Sequence, residues 1–450
     1  MRSKMRAASL AAGALCIALS ASACSGAGGG GGTAGDQNSI NVLMVNNPQM
    51  EDLQKLTADN FTKETGIAVN YTILPENDVR AKISQEFSSQ AGQYDVASLS
   101  NYEIPFYSAN KWLAPLDSVA NDPEFNQNDI LPAYTASLTG EDGKLYGEPF
   151  YGESSFLMYR KDILEAKGLT MPEKPTWDQV AEIAAQADGA EPGMKGICLR
   201  GQPGWGQVFA PLTTVVNTFG GTWFDKDWNA QVNSPEFVEA TKFYVDLVKK
   251  HGEAGAAQAG FTECLNNMSQ SKVAMWYDAT SAAGALEAEG SPVKGKIGYA
   301  QAPVKETDSS GWLWTWSWGV QAASKKQDAA GKFIAWASSK KYEELVASKL
   351  GWAKVPSGKR ISTYENAEFQ KAAPFFEAER SAIENADPKN PGVQERPVVG
   401  IQFVGIPEFA DLGTTVSQGV SSAIAGQGSV EDALAKGQEA AQKIGDKYKK

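Results

Sequence analysis

The sequence predicts an α/β protein of two lobes. Strand-like runs rich in β-branched residues alternate with amphipathic, helix-like runs from Ile40 onward, the pattern of sheets flanked by helices. The chain has 450 residues, more than one hydrophobic core usually serves, so the core is expected to divide. No stretch beyond the N-terminal leader is apolar enough to cross a bilayer.

The elements follow in order. "INVLMVNN", beginning at Ile40, reads as a strand that "NNPQ" breaks. A helix follows from about Met50 to Glu64, with Leu53, Leu56 and Phe61 at helical spacing and Gly66 past its end. "IAVNYTIL" is the next strand, about Asn77 to Gln90 the next helix, and "YDVASLS" the third strand. This β-α-β-α-β order implies a largely parallel sheet. Open sheets of that kind bind ligands at the carboxyl ends of their strands. Two loops are thereby singled out: one with Asn46, Asn47 and Gln49, the other with Asn101 and Tyr102. Asn and Gln both donate and accept hydrogen bonds, although they are also turn formers.

Later segments alternate likewise. "FLMYRKDILEAKGL" runs from strand into helix. Thr176 is placed to cap "WDQVAEIAAQA". Ser234 caps the helix "PEFVEATKFYVDLVKK", with Pro235 at its first position. "SKVAMWYDAT" is a strand ending in a polar loop, "IGYAQAPV" another strand and "KKQDAAGKFIAWASS" another helix. In "GWLWTWSWGV", Trp312, Trp314, Trp316 and Trp318 occupy every second residue, one side of an extended ribbon. Such a row suits a core or a ligand platform, and Thr315 and Ser317 between the indoles leave both readings open.

The N-terminus carries Arg2, Lys4 and Arg6 ahead of an apolar run from Ala7 to about Ala21, shorter than a span of roughly 20 residues. Ala21-Ser22-Ala23-Cys24 resembles a bacterial lipobox, with Ala21 where that motif usually has Leu. Residues 1–23 are therefore expected to be a lipoprotein signal peptide, with Cys24 receiving diacylglycerol. Residues 24–38, with a Gly-rich run from Gly26 to Gly32, are expected to form a flexible tether. An ordinary secretory signal is the alternative.

Loss of the leader takes the formal charge of −12 to about −15, which argues against a nucleic-acid partner. No G-x-x-x-x-G-K-[ST] phosphate loop occurs. Cys198 and Cys264 remain once Cys16 and Cys24 are accounted for, and in an exported protein they are expected to form a disulfide; two buried thiols are the alternative. With one histidine, His251, a zinc site is disfavoured. No metal or cofactor is expected.

"KETGIAVN", "YDVASLSN", "GKLYGEPFYGESSFLMYRKDIL", "PTWDQV", "SKVAMWYDAT" and "SKKQDAAGKFIAWASS", in this order, resemble the landmarks of extracellular solute-binding proteins of ABC importers, of the carbohydrate-binding kind. "GICLRGQPGWGQ", "APLTTVVNTFGGTWFD", "GFTECL", "MWYDATSAAG", "GWLWTWSWG" and "IQFVGIPEFADLGT" are similar to the subgroup serving sorbitol and mannitol importers. The resemblance implies a type II periplasmic-binding-protein-like fold, with the ligand in a cleft between discontinuous lobes. It puts lobe crossings near Phe150–Ser154, Ala300–Val304 and Leu350–Lys354. Lobe I is then 39–150 with 304–350, and lobe II is 151–303 with 351–450. The implied role is capture of a sugar alcohol for delivery to membrane permease subunits, by a monomer held to the extracellular face of the membrane only through its lipid.

A polyol is neutral and dense in hydroxyls, so its binder needs paired acceptors and donors, with an aromatic face over the carbon chain. Glu153 lies at a crossing where this fold often places an acidic contact, and Tyr151 shares its face in extended backbone. Arg200 and Trp205 lie in the Gly-rich loop after the Cys198 strand; a structural ion pair and a loop anchor are their alternatives. Asp278 resembles the family's cleft-facing position at a strand end, with a helix cap as its alternative. The resemblance places the tryptophan ribbon beside the cleft, with Trp314 or Trp316 stacking on ligand and Trp312 and Trp318 packing against protein. Trp223 is assigned to the core, and Gln402 is a C-terminal candidate.

A mono- or disaccharide ligand fits the same residue types. A secreted glycoside hydrolase would need two carboxyls about 5–10 Å apart, a part that Glu153 and Asp278 could be given. A purely adhesive lipoprotein would lack ligand-induced closure.

Overall fold

The structure, a computed structural model, describes residues 38–449. The signal peptide, Cys24 and all but the last residue of the tether lie outside the described residues.

The first sheet has six strands: β1 (Ser39–Val45), β2 (Ala68–Leu74), β3 (Val96–Ser100), β4 (Leu113–Ala114), β5 (Glu148–Glu153) and β10 (Trp314–Gln321). β2, β1 and β3 are parallel, as their helical crossovers require. β10 then enters antiparallel between β3 on one side and β4 and β5 on the other, so the sheet is mixed. The second sheet runs β7 (Lys195–Cys198), β8 (Val273–Ala279), β6 (Ser155–Arg160) and β9 (Ile297–Gln301). Only its β7–β8 pair is parallel.

Local chemistry sets the helix ends. Thr176 and Gln179 form a reciprocal capping box. Ser234 Oγ accepts from the amide of Phe237, with Pro235 in the first turn. The helix that starts at Pro48 passes through a π-helical turn, Ala58–Thr62, and ends at Gly66 with φ +73°, a left-handed cap that glycine adopts without strain. Trp223 is core, edge-on to Phe209, Phe237 and Phe409.

The chain changes sheets at Ser154, because β5 stays paired to β10 through Glu153 opposite Trp314. It leaves the second sheet after Gln301 and re-enters the first at Trp314. Ser357–Arg360 returns to the first sheet and its helices. The Lys359 carbonyl accepts from the amide of Leu131, and the buried Arg360 guanidinium finds the Phe125 and Ser338 carbonyls and Asp129. A buried guanidinium needs those acceptors. At this passage Gly152 and Gly358 meet backbone to backbone. Gly358 has φ +85°, and a Cβ there would fall 1.9 Å from the Gly152 carbonyl oxygen, so neither residue can carry a side chain without parting the strands.

Cys198, at the end of β7, is bridged to Cys264 in the helix Phe261–Ser269. The crosslink spans 66 residues and is expected to contribute about 3–5 kcal/mol by limiting the unfolded chain. Urea unfolding with and without reductant measures this, and two alkylatable thiols at these positions in non-reduced protein would rule the bridge out.

Candidate ligand-binding site

The two sheets meet at the carboxyl ends of β1 and β8 and at the start of β10. There a narrow cavity opens. Each sheet and its loops supply part of the wall: Asn47, Glu76, Arg80, Trp314 and Trp316 from one side, Arg200, Gly206, Phe261, Ser281, Gln402 and Phe403 from the other. Glu153 sits at the sheet change between them.

Arg200 is the central cation. Its Nε and Nη2 donate to Asp278 at 2.8 and 2.5 Å, its Nη1 donates to the Gly206 carbonyl at 3.0 Å, and Glu76 lies 3.6 Å away across the cleft. Burial alone would lower its pKa, but the Asp278 carboxylate holds it above its ordinary value. Gly206 lets the Glu76 and Arg80 side-chain ends come close: a Cβ there would fall 2.8 Å from Glu76 and 2.9 Å from Arg80 and push them aside. Glu153 receives a hydrogen bond from the Ser281 hydroxyl. Burial pushes its carboxyl up to about 8, against the pull of Ser281 and Arg200. At neutral pH it is therefore largely protonated and able to donate as well as accept.

The indoles form the opposite wall. Trp314, Trp316 and Trp312 all line the cavity, and Trp314 and Trp316 meet edge to face, 5.9 Å apart. The Arg80 guanidinium lies 5.0 Å from Trp314, 4.8 Å from Trp316 and 4.2 Å from Trp205, within the range of cation–π attraction. Trp312, expected to pack against protein, contacts Tyr277 but also faces the cavity, and its buried Nε1–H has no hydrogen-bond partner among the described residues. Trp318 packs on Phe150 and Phe333, as expected of a core residue.

The remaining candidates take different places. Asn47 lines the cavity and donates to the Tyr151 hydroxyl at 2.7 Å, so Tyr151 orients Asn47 from behind the wall and does not line the cavity. Gln49 donates to the Ser281 carbonyl, and Tyr102 to the Ile406 carbonyl, each tying one side of the cleft to the other. Asn101 is spent on Leu313 and Thr315 at the root of β10. Trp205 supports Arg80 and packs on Tyr102 and Phe403. Asn46 is exposed and outside the cavity, since side chains alternate and Asn47 takes the inward position. Asp278 is also corrected. It is fully buried and absent from the cavity wall, and it accepts from Arg200, from Trp276 Nε1 and from the Ala279 amide. It neither lines the cavity nor caps the following helical turn, whose cap position is Ala279.

Residues 46–344 match the model of the bacterial extracellular solute-binding proteins. The chain belongs to this family. A mannitol-binding protein of Pseudomonas aeruginosa is 38% identical over 403 residues, 89% of this chain and 92% of that one. A solute-binding protein of an ABC transporter from Agrobacterium vitis S4, solved with bound D-mannitol, superposes with a TM-score of 0.89 at 45% identity, covering 91% of this chain and 99% of the other. The maltose-bound MalE3 of T. maritima shares the fold, with a TM-score of 0.77 at 22% identity over 90% of this chain and 99% of that one. The architecture is thus the two-sheet, type II form of the extracellular solute-binding proteins. Membership sets aside the hydrolase reading that two cleft carboxyls would otherwise allow.

Sequence reasoning missed Glu76, Arg80, Phe261, Ser281, Trp312 and Phe403. Glu76 and Arg80 stand four apart on a helix, which in sequence reads as an exposed ion pair. Ser281 and Phe403 were within reach, since each lies next to a strand-end or candidate residue already chosen.

Proposed function

We propose that this solute-binding protein captures a sugar alcohol between its two lobes and hands it to the permease of an ABC importer. The observation that carries the reading is the make-up of the cavity. Arg200, Asn47, Glu153 and Gln402 offer donors and acceptors around it, and three indoles cover one side. An acyclic chain with a hydroxyl on each carbon needs paired hydrogen-bond groups for its O–H edges and an apolar face for its C–H edges. The likeness to a mannitol-binding protein and to a solute-binding protein solved with bound D-mannitol supports the choice over a cyclic sugar. The lobes are lobe I, carrying the first sheet, and lobe II, carrying the second. Gln49, Tyr102 and the Glu76–Gln207 bond close one on the other, and ligand bridging both would shift an open–closed equilibrium toward this form. The mature chain acts as a monomer, tethered to the extracellular face of the membrane through lipid on Cys24.

Thermal unfolding over a panel of alditols and cyclic sugars tests the assignment. An alditol at a hundred times its Kd is expected to add about 2.7 kcal/mol to stability, and small-angle scattering is expected to show contraction. Binding of a cyclic sugar with no response to mannitol, sorbitol, arabitol or xylitol would refute the polyol reading.

A further inference from the structure

We propose that the cleft sorts polyols by charge, taking uncharged alditols and alditols that carry an ammonium group and turning away those that carry a phosphate or carboxylate. The inference rests on the polyol reading and deepens it at the same cavity.

Both guanidiniums in the cavity wall already have anionic partners. Arg200 is paired bidentately with Asp278 and faces Glu76 at 3.6 Å. Arg80 donates to Glu76 from Nε and Nη2 and to Glu103 from Nη1 at 2.8 Å. The indoles of Trp205, Trp314 and Trp316 surround its guanidinium. With Glu153, four carboxyls surround two cations. Among the described residues lining the cavity there is no third cation. An anionic substituent would lose its water in the closed cleft and find no uncommitted positive charge. Taking Arg200 or Arg80 for itself would strand Asp278, Glu76 or Glu103 as a buried unpaired carboxylate. Exclusion therefore comes from repulsion and desolvation, not from a missing contact.

An ammonium group meets the opposite situation. Glu153 forms no ion pair among the described residues; its hydrogen-bond partner is the Ser281 hydroxyl. The charged and titratable groups around it are Arg200, Asp278, Glu76, Tyr151 and Tyr134. Burial pushes its carboxyl up to about 8, Ser281 and Arg200 oppose this, and Asp278 and Glu76 add to it. A neutral alditol meets the protonated carboxyl and can accept from it. An ammonium ligand favours the carboxylate, so its binding expels the proton. The sign follows: affinity for the ammonium ligand rises with pH until Glu153 is ionised, near pH 8, while affinity for the neutral ligand does not rise.

The test is titration calorimetry on the mature protein with mannitol, 1-amino-1-deoxymannitol, mannonate and mannitol 1-phosphate, at about pH 6.5 and 8.5. Mannonate and the phosphate are expected to bind at least about a hundredfold more weakly than mannitol at both pH values. The amino alditol is expected to gain about fivefold or more over mannitol between the two pH values, with proton release visible in buffers of different ionisation enthalpy. Glu153→Gln is expected to remove that gain. Should this variant fail to fold, proton release in the unsubstituted protein decides the same point. An anion that binds within about tenfold of mannitol, or an amino alditol with no gain, overturns the inference. If no alditol binds but a cyclic sugar does, the polyol reading fails, and the amine, acid and phosphate of that sugar then judge the charge rule independently.

Discussion

Asp278→Ala is expected to weaken alditol binding by about 2–4 kcal/mol although its carboxylate touches no part of the cavity. The substitution removes both acceptors from Arg200 Nε and Nη2, and leaves a buried guanidinium with the Gly206 carbonyl and a distant Glu76. The Trp276 indole N–H and the Ala279 amide lose their acceptor as well. Breaking one side of a buried ion pair costs about 3–5 kcal/mol because the other charge stays behind, so stability falls together with affinity. Asp278→Asn separates the two effects. Its side-chain oxygen can still accept from Trp276, so more stability survives, while Arg200 loses its counter-charge and swings toward Glu76. Calorimetry for mannitol beside urea unfolding of both variants measures the split. Wild-type affinity in a folded Asp278→Ala protein would mean that Arg200 does not hold the ligand.

Trp316→Ala is expected to lower affinity for every alditol by a similar factor and to destabilise the fold by about 3–5 kcal/mol. Trp316 stands within β10, only 3% exposed, edge-on to Trp314 and beneath Arg80. Its removal takes away part of the C–H face and leaves a void under the guanidinium. Stacking reads the shape of a carbon chain and little of its stereochemistry, hence the uniform loss. Trp316→Phe should restore a large part of both quantities. Affinity lost for one epimer alone would contradict a stacking role. Combined with Asp278→Ala, the affinity losses should be less than additive if both residues act on one bound ligand.

How much of this was legible in the chain depends on the range of the interaction. The Thr176 capping box, the Ser234 cap and the left-handed Gly66 rest on groups within a few residues of one another, and sequence spacing suffices for them. The first three strands and their crossovers follow from period and composition. The row of four indoles was visible as a row, and Glu153, Arg200, Trp314, Trp316, Asn47 and Gln402, all chosen from the chain, do line one cavity.

Partnership across the fold was not legible. Asp278 and Arg200 are both polar residues beside strand ends, and nothing local says which one faces a ligand. The parallel pairing of β7 with β8 brings them together and buries the carboxylate behind the guanidinium. Glu76 and Arg80 look like one turn of an exposed helix until β10 inserts antiparallel beside β3 and brings its indoles to Arg80. The opposite lobe then presents Arg200 to Glu76. By itself the sequence determined the α/β class, the order of elements, their caps and the residue types available to a polyol. Tertiary structure alone decided which of those groups line the cavity and which are spent on one another, because a buried charge takes whichever partner the packing brings within reach, and that partner here lies in another element of the chain.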